Sequence, residues 1–284
     1  MIRSKAQSWP PPKLIRKFHR RLLDFRQLLI REIQIEDGDV SYRFSCETVR
    51  EFYRCLKLFS KEPGTSEWII KSLHSGDVFY DIGANIGVYS ILAASRTGNT
   101  GRVYAFEPHG ANFARLVDNI RVNNLQKVIV PCNFALHNQE GFFNFKYASS
   151  AAGTSNSQLS EEGNVSQSNK EAQVAELKYA ITIDGLIERD ELKAPTHIKI
   201  DVDGNEYLIL QGMSHLLTSA DRPISLQIEM NDPYKEQILS FMKSHNYRQS
   251  SKHYTRSKLR RVEAGIHPEN IDFNAIFHYE GEIK

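Results

Sequence analysis

"VFYDIGANIGVYSILAASRTGNTGRVYAFEP", residues 78–108, opens with a short apolar run and passes through a segment of helical periodicity that closes at Gly98. It then returns to a second apolar run. Strands without polar alternation are buried on both faces, and a helix between two of them is the crossover that parallel neighbours require. The stretch reads as strand, helix, strand, and the same alternation continues beyond it.

Toward the C-terminus, "ANFARLVDNIRVNN" reads as a helix and "KVIVPCNFAL" as a strand. "HIKIDVDG" reads as a strand, "NEYLILQGMSHLL" as a helix, "ISLQIEM" as a strand and "PYKEQILSFMKSHNY" as a helix. "NAIFHYE" (274–280) is a last strand with no helix after it, expected to return antiparallel at an edge. The expected fold class is α/β, a doubly wound, mostly parallel, Rossmann-like sheet. Toward the N-terminus, "REIQIEDGDVSYRF" (31–44) reads as a hairpin turning at Asp37-Gly38, followed by helices near 47–60 and 65–74. Residues 3–31 combine nine Lys and Arg with apolar residues at helical spacing, from Leu14 to Leu29. This basic helix is expected to pack on the main domain, with a weak membrane-surface contact left open. The expected division is an N-terminal extension over 1–75 and a main domain over 76–284. Within the latter, 148–173 is Ser-, Asn- and Gln-rich and is expected to be a mobile loop.

The chain has 284 residues, 40% hydrophobic and 25% charged, and a net charge of +2. No molecule-wide field calls for nucleic acid, which is not expected as a partner. The basic run "SSKHYTRSKLRR" (250–261) is expected to be a solvated loop. The three cysteines form no C-x-x-C pair, and their odd number points to a reducing, cytoplasmic compartment. No apolar run approaches the ~20 residues of a membrane span.

The first chemical site is D-I-G-A-N-I-G. Asp81 ends the strand, and Gly83, Ala84, Asn85 and Gly87 turn the chain into a helix whose free N–H groups face a ligand. Glu107, followed by Pro108, ends the next strand, where a carboxylate accepts from ribose hydroxyls. A dinucleotide fingerprint needs G-x-G-x-x-G, but here those places hold Gly83, Asn85 and Val88. The second glycine, where a pyrophosphate would pass, is missing. The expected cofactor is therefore S-adenosyl-L-methionine, with Asp81 toward its amine. Phe134 and Ala135 are placed to wall its adenine. Asn133 either bonds the adenine edge or makes a local turn bond.

"IKIDVDGNEYLILQGM" (198–213) carries the second site. A calcium loop starting at Asp201 would need Gly at position 6 and Glu at 12, and the sequence supplies neither. No other metal-ligand spacing stands out. Asp203 with Glu206 fits a variant capping box. Lys199 and Asp201 alternate on a strand expected to be buried, so they should be paired or functional, with Glu229 a partner for Lys199. Asp201 or Asp203 is the expected proton acceptor of a methyl transfer, with Lys199 beside them.

"DIGANIGVYS", "AFEPHGANFARLVDNIRVNN", "CNFALHNQEG", "ITIDGL" and "IKIDVDGNEYLILQGM" occur in this order between Gly76 and Glu229. The set resembles the FkbM-type family of S-adenosylmethionine-dependent methyltransferases. The resemblance implies a class I methyltransferase fold and O-methylation of a small-molecule or glycan acceptor. It also implies cofactor contacts at Asp81, Gly83, Asn85, Gly87 and Glu107. The family usually reads I-D-V-E-G, and this chain has Asp203 in place of the Glu. An oxidoreductase with a nicotinamide cofactor and a nucleic-acid methyltransferase are the alternatives.

Overall fold

The computed structural model describes residues 17, 18, 20–22, 31–147, 149–155, 157–160, 174–231, 233–267 and 271–281. Most of the basic N-terminal segment and residues 161–173 of the expected loop lie outside the described residues.

Strands β1 (Arg31–Asp37) and β2 (Val40–Cys46) form the expected antiparallel hairpin. The helix Val49–Leu56 follows, opened by a capping box in which Thr48 and Glu51 satisfy each other's backbone N–H groups. The helix Pro63–Ser72 begins with the proline at its first position, where no N–H is missed. Phe44, Leu58, Trp68 and Ile69 from this region are buried in one cluster with Phe79, Ile91 and Val103, so residues 31–75 share a core with the sheet.

β3 (Val78–Ile82), β4 (Arg102–Phe106), β5 (Ile129–Cys132), β10 (His197–Ile200) and β11 (Ser225–Met230) are mutually parallel. With β12 (Tyr247–His253) and β13 (Phe273–Tyr279) they make a seven-stranded sheet in the order β12-β13-β11-β10-β3-β4-β5. Alternate residues feed the two faces. Phe79, Val103 and Ala105 enter one cluster, whereas Tyr80, Tyr104 and Phe106 enter the other. The doubly wound, mostly parallel sheet is as expected.

Five local expectations need correction. β13 is antiparallel but not at an edge, because it inserts between β11 and β12. β12 was not anticipated: only Tyr247 is buried at its start, and "RQSSKH" has none of the apolar alternation that marks a strand. The basic run 250–261 ends β12 and forms the helix Arg256–Glu263. "KVIVPCNFAL" is two strands, β5 and the two-residue β6 (Ala135–Leu136), which joins a separate four-stranded sheet. "NEYLILQGMSHLL" is two helices, Glu206–Gln211 and Ser214–Thr218. They part at Gly212, where a Cβ would lie 2.1 Å from the His137 carbonyl oxygen.

The second sheet consists of β7 (Gly141–Tyr147), β8 (Ser157–Ser160) and β9 (Val174–Ile181) beside β6. The early part of the expected loop is thus docked. Thr154 is buried, and its carbonyl oxygen accepts from the Nδ2 atoms of Asn85 (2.7 Å) and Asn112 (3.2 Å). Backbone hydrogen bonds and side-chain amides anchor the segment where apolar content could not.

Candidate active site

The carboxyl ends of the parallel strands open into one cavity of about 280 Å³, the place where open α/β sheets receive ligands. Gly83, Asn85 and Gly87 all have φ in the left-handed region, at +78°, +53° and +84°. At Gly83 this freedom is coupled to a close approach, since an added Cβ would stand 1.9 Å from the Asp201 carbonyl oxygen. The Gly83 and Ala84 N–H groups both donate to the Phe106 carbonyl, which ties the turn to β4. Gly87 caps the helix Val88–Thr97. Ala84 is buried in the core rather than in the cavity wall.

Glu107 is buried and lines the cavity. Its Oε2 accepts from the Asn85 N–H at 2.7 Å and its Oε1 from the His109 N–H at 2.8 Å. Burial, only partly offset by these hydrogen bonds, pushes its carboxyl up to about 7. A carboxylate has roughly four lone-pair sites, so capacity remains for a ligand's hydroxyls. Pro108, Phe134 and Ala135 line the cavity beside it, and Phe134 meets Phe106 edge to face. Asn133 makes neither the cavity contact nor a local turn bond. It is exposed, and its Nδ2 donates to the carbonyls of Glu107 (2.8 Å) and Pro108 (3.3 Å), bracing the strand end instead of facing the cavity.

Asp81 also differs from expectation. It is fully buried and does not line the cavity. Its Oδ2 accepts from Ser90 Oγ at 2.6 Å and its Oδ1 from Lys199 Nζ at 3.1 Å. Lys199 is equally buried and lies 3.7 Å from an Asp201 carboxylate oxygen. It therefore pairs with Asp81, its cross-strand neighbour in register, and not with Glu229. Burial alone would lower the Lys199 ammonium, but Asp81 and Asp201 hold it above its ordinary value. Lys199 lies behind the cavity wall.

Asp201, Asp203 and Glu229 do line the cavity, on its β10 and β11 side. Burial opposes ionisation of Asp201, but Lys199 and, more remotely, Lys61 win and hold it down at about 2. Glu229 behaves oppositely: burial and the Asp201 charge push it up to about 8, against the Lys258 ammonium 2.9 Å from its Oε1. The two carboxyls interact directly and near neutrality hold one proton between them. Asp203 adopts φ +60°, a left-handed conformation that Asp tolerates better than most residues. It is not the helix cap. Asn205 occupies that position, and Glu206 reaches back so that its Oε1 accepts from the N–H groups of Val202 (3.2 Å) and Gly204 (3.1 Å).

The cavity includes residues that sequence reasoning missed. Phe145 and Leu159 extend its apolar side from the unanticipated β7 and β8. Arg54, Lys61 and Glu62 come from the N-terminal region, and Lys258 from the helix after β12. No local motif marks any of them, because their place depends on how distant elements pack.

The sheet order and the site at its carboxyl edge are those of a class I methyltransferase. The chain belongs to the FkbM methyltransferase family, whose Methyltransferase FkbM domain matches residues 81–249. Hexuronic acid methyltransferase AglP of Haloferax volcanii is 27% identical over 179 residues, covering 63% of this chain and 67% of that protein. Methyltransferase FkbM of Methylobacillus flagellatus is similar in structure, with a TM-score of 0.47 and 16% identity. The similarity covers 76% of this chain and 48% of that one, about half its length. The M. jannaschii tRNA m1G37 methyltransferase has a TM-score of 0.44 and 13% identity, over 88% of this chain and 57% of that one. Membership of a methyltransferase family answers the nicotinamide-cofactor alternative.

Proposed function

We propose that the protein methylates a hydroxyl oxygen of a sugar or secondary metabolite, using S-adenosylmethionine. The observation that carries this reading is one cavity with Glu107 and an apolar wall toward β5 and the Asp201–Glu229 pair toward β11. The donor set fits the cofactor. Glu107 retains acceptor capacity for ribose hydroxyls, Phe134 and Leu136 offer an apolar surface for adenine, and the acidic side suits a cation. When bound, S-adenosylmethionine supplies an electrophilic sulfonium methyl.

Asp201 accepts the hydrogen bond of the acceptor hydroxyl and so orients its oxygen for attack. An alcohol becomes strongly acidic as its oxygen is alkylated. A carboxylate held at about 2 is therefore a sufficient base at that moment. Lys199 keeps Asp201 ionised and fixed, and Glu229 carries the pair's resident proton. The sugar class is supported by AglP, which is named for hexuronic acid.

The test is uptake of labelled methyl by a panel of glycans and small alcohols, followed by single-turnover kinetics. Asp201→Asn should slow transfer by roughly 100-fold or more while S-adenosylmethionine still raises the Tm. Asp203→Asn, run in parallel, measures the contribution of its neighbour. Full activity of Asp201→Asn would remove this carboxylate from the reaction.

A further inference from the structure

Next to the active-site cavity lies a second groove of about 400 Å³. Its lining contains six cationic side chains, Arg50, Arg54, Lys57, Lys61, Arg256 and Arg260, and no acidic residue. The helix Val49–Leu56 and its following loop form one wall, and the helix Arg256–Glu263 forms the other. The Arg256 N–H donates to the Lys61 carbonyl at 3.0 Å and stitches the walls together. Arg54, Lys61 and Ser257 line both hollows, so the groove is continuous with the cavity that holds Asp201.

These charges are largely uncompensated. Lys61 pairs with Glu62 at 2.6 Å. Arg54 donates to neutral acceptors, the Gly153 carbonyl and Ser155 Oγ. Among the described residues, Arg50, Arg54, Lys57, Arg256 and Arg260 meet no carboxylate within ion-pair distance. Cations gathered in a concavity repel one another, and an anion entering it relieves that repulsion and gains charge-assisted hydrogen bonds. Guanidinium forks match both carboxylate and phosphate geometry.

We propose that this groove binds an anionic group, phosphate or carboxylate, that the acceptor carries apart from the hydroxyl to be methylated. The proposal rests on the methyltransferase reading above and names its acceptor class: an anionic saccharide. The two hollows divide the acceptor by charge. The ionised Asp201 repels an anion, so the neutral hydroxyl enters the cavity while the charged group stays with the arginines. The groove has room for a short anionic group rather than a nucleic-acid strand, in keeping with a net charge of only +2. All its lining residues fall outside the family match at 81–249, where acceptor recognition is free to vary.

The test is titration calorimetry on the full chain with four probes: inorganic pyrophosphate, an oligosaccharide of glucuronic acid, neutral maltotetraose and a short single-stranded RNA. The protein is compared with Lys57→Glu/Arg260→Glu and with Lys243→Glu, an exposed charge reversal on the helix Lys235–Ser244. Pyrophosphate or the glucuronic acid oligosaccharide should bind more tightly than maltotetraose. The double reversal should weaken that binding roughly tenfold or more, rising salt should weaken it too, and Lys243→Glu should not. Which of the two anions binds better identifies phosphate or carboxylate as the source. Unchanged affinity in the double reversal, equal binding of maltotetraose, or binding of RNA alone would each overturn the proposal. The S-adenosylmethionine-induced Tm shift, measured on the same variants, stands apart: its loss in the unmodified chain would instead sink the methyltransferase reading.

Discussion

Replacing Lys199 by methionine keeps the buried aliphatic length and removes only the ammonium. In the structure that ammonium lies 3.1 Å from Asp81 and 3.7 Å from Asp201, with the lysine and Asp81 wholly out of solvent. At an effective dielectric of about 20, each contact is worth roughly 5 kcal/mol before desolvation. Desolvation offsets much of this, but removing one member strands the other charges, which costs about 3–5 kcal/mol. At about 2–4 °C per kcal/mol, the Tm should fall by roughly 6–20 °C, readable by scanning calorimetry. The sign of the pH dependence follows. Without Lys199, burial is no longer outweighed at Asp201 and its folded-state carboxyl rises above its unfolded value, so the lost stability returns as pH is lowered. The Tm deficit should be smaller at pH 5 than at pH 8. Adding Asp81→Asn to Lys199→Met should recover a large part of it, because the orphaned charge is gone while the Ser90 hydrogen bond can persist. A Tm within about 2 °C of the parent, flat with pH, would refute the claim that this lysine holds the pair.

Three further outcomes are expected. Glu107→Gln should weaken S-adenosylmethionine binding by roughly 10–100-fold, measured by calorimetry, whereas NAD should not bind either form. Glu229 is raised to about 8 in the folded state, so its stabilising contribution is complete below its unfolded value and lost as pH rises through 8. The Tm of Glu229→Gln relative to the parent should accordingly climb between pH 5 and pH 9. Gly83→Ala must fit a Cβ at φ +78° against the Asp201 carbonyl and should cost about 2–4 kcal/mol, seen as a lower urea midpoint with an unchanged m-value.

The parallel core was legible in the sequence because β3 and β4 are mostly apolar runs on either side of a segment of helical period, and the same strand–helix alternation continues through β10 and β11. Glu107 was legible for the same reason, since its place at a strand end follows once the strand is identified. Asp81 was misread because its partner is 118 residues away and becomes a neighbour only when β10 lies beside β3. Glu229 was paired with that lysine because it ends the next strand, whereas Lys258, from an unanticipated helix, reaches it instead. Arg54, Phe145 and Leu159 entered the site without any local signal. They sit on elements whose register against the main sheet no single segment encodes.

The insertion of β13 between β11 and β12 also sets the order of assembly. β12 is made before β13, yet among the described residues its only sheet partner is β13. Until residues 273–279 exist, β11 ends the sheet with an open row of backbone donors and acceptors, and β12 has nothing to pair with. A nascent or C-terminally truncated chain therefore presents an unprotected edge and an orphan strand, the features that invite intermolecular pairing. Expression of chains stopped before Phe273 would carry that hazard even with every residue of the 81–249 family domain in place.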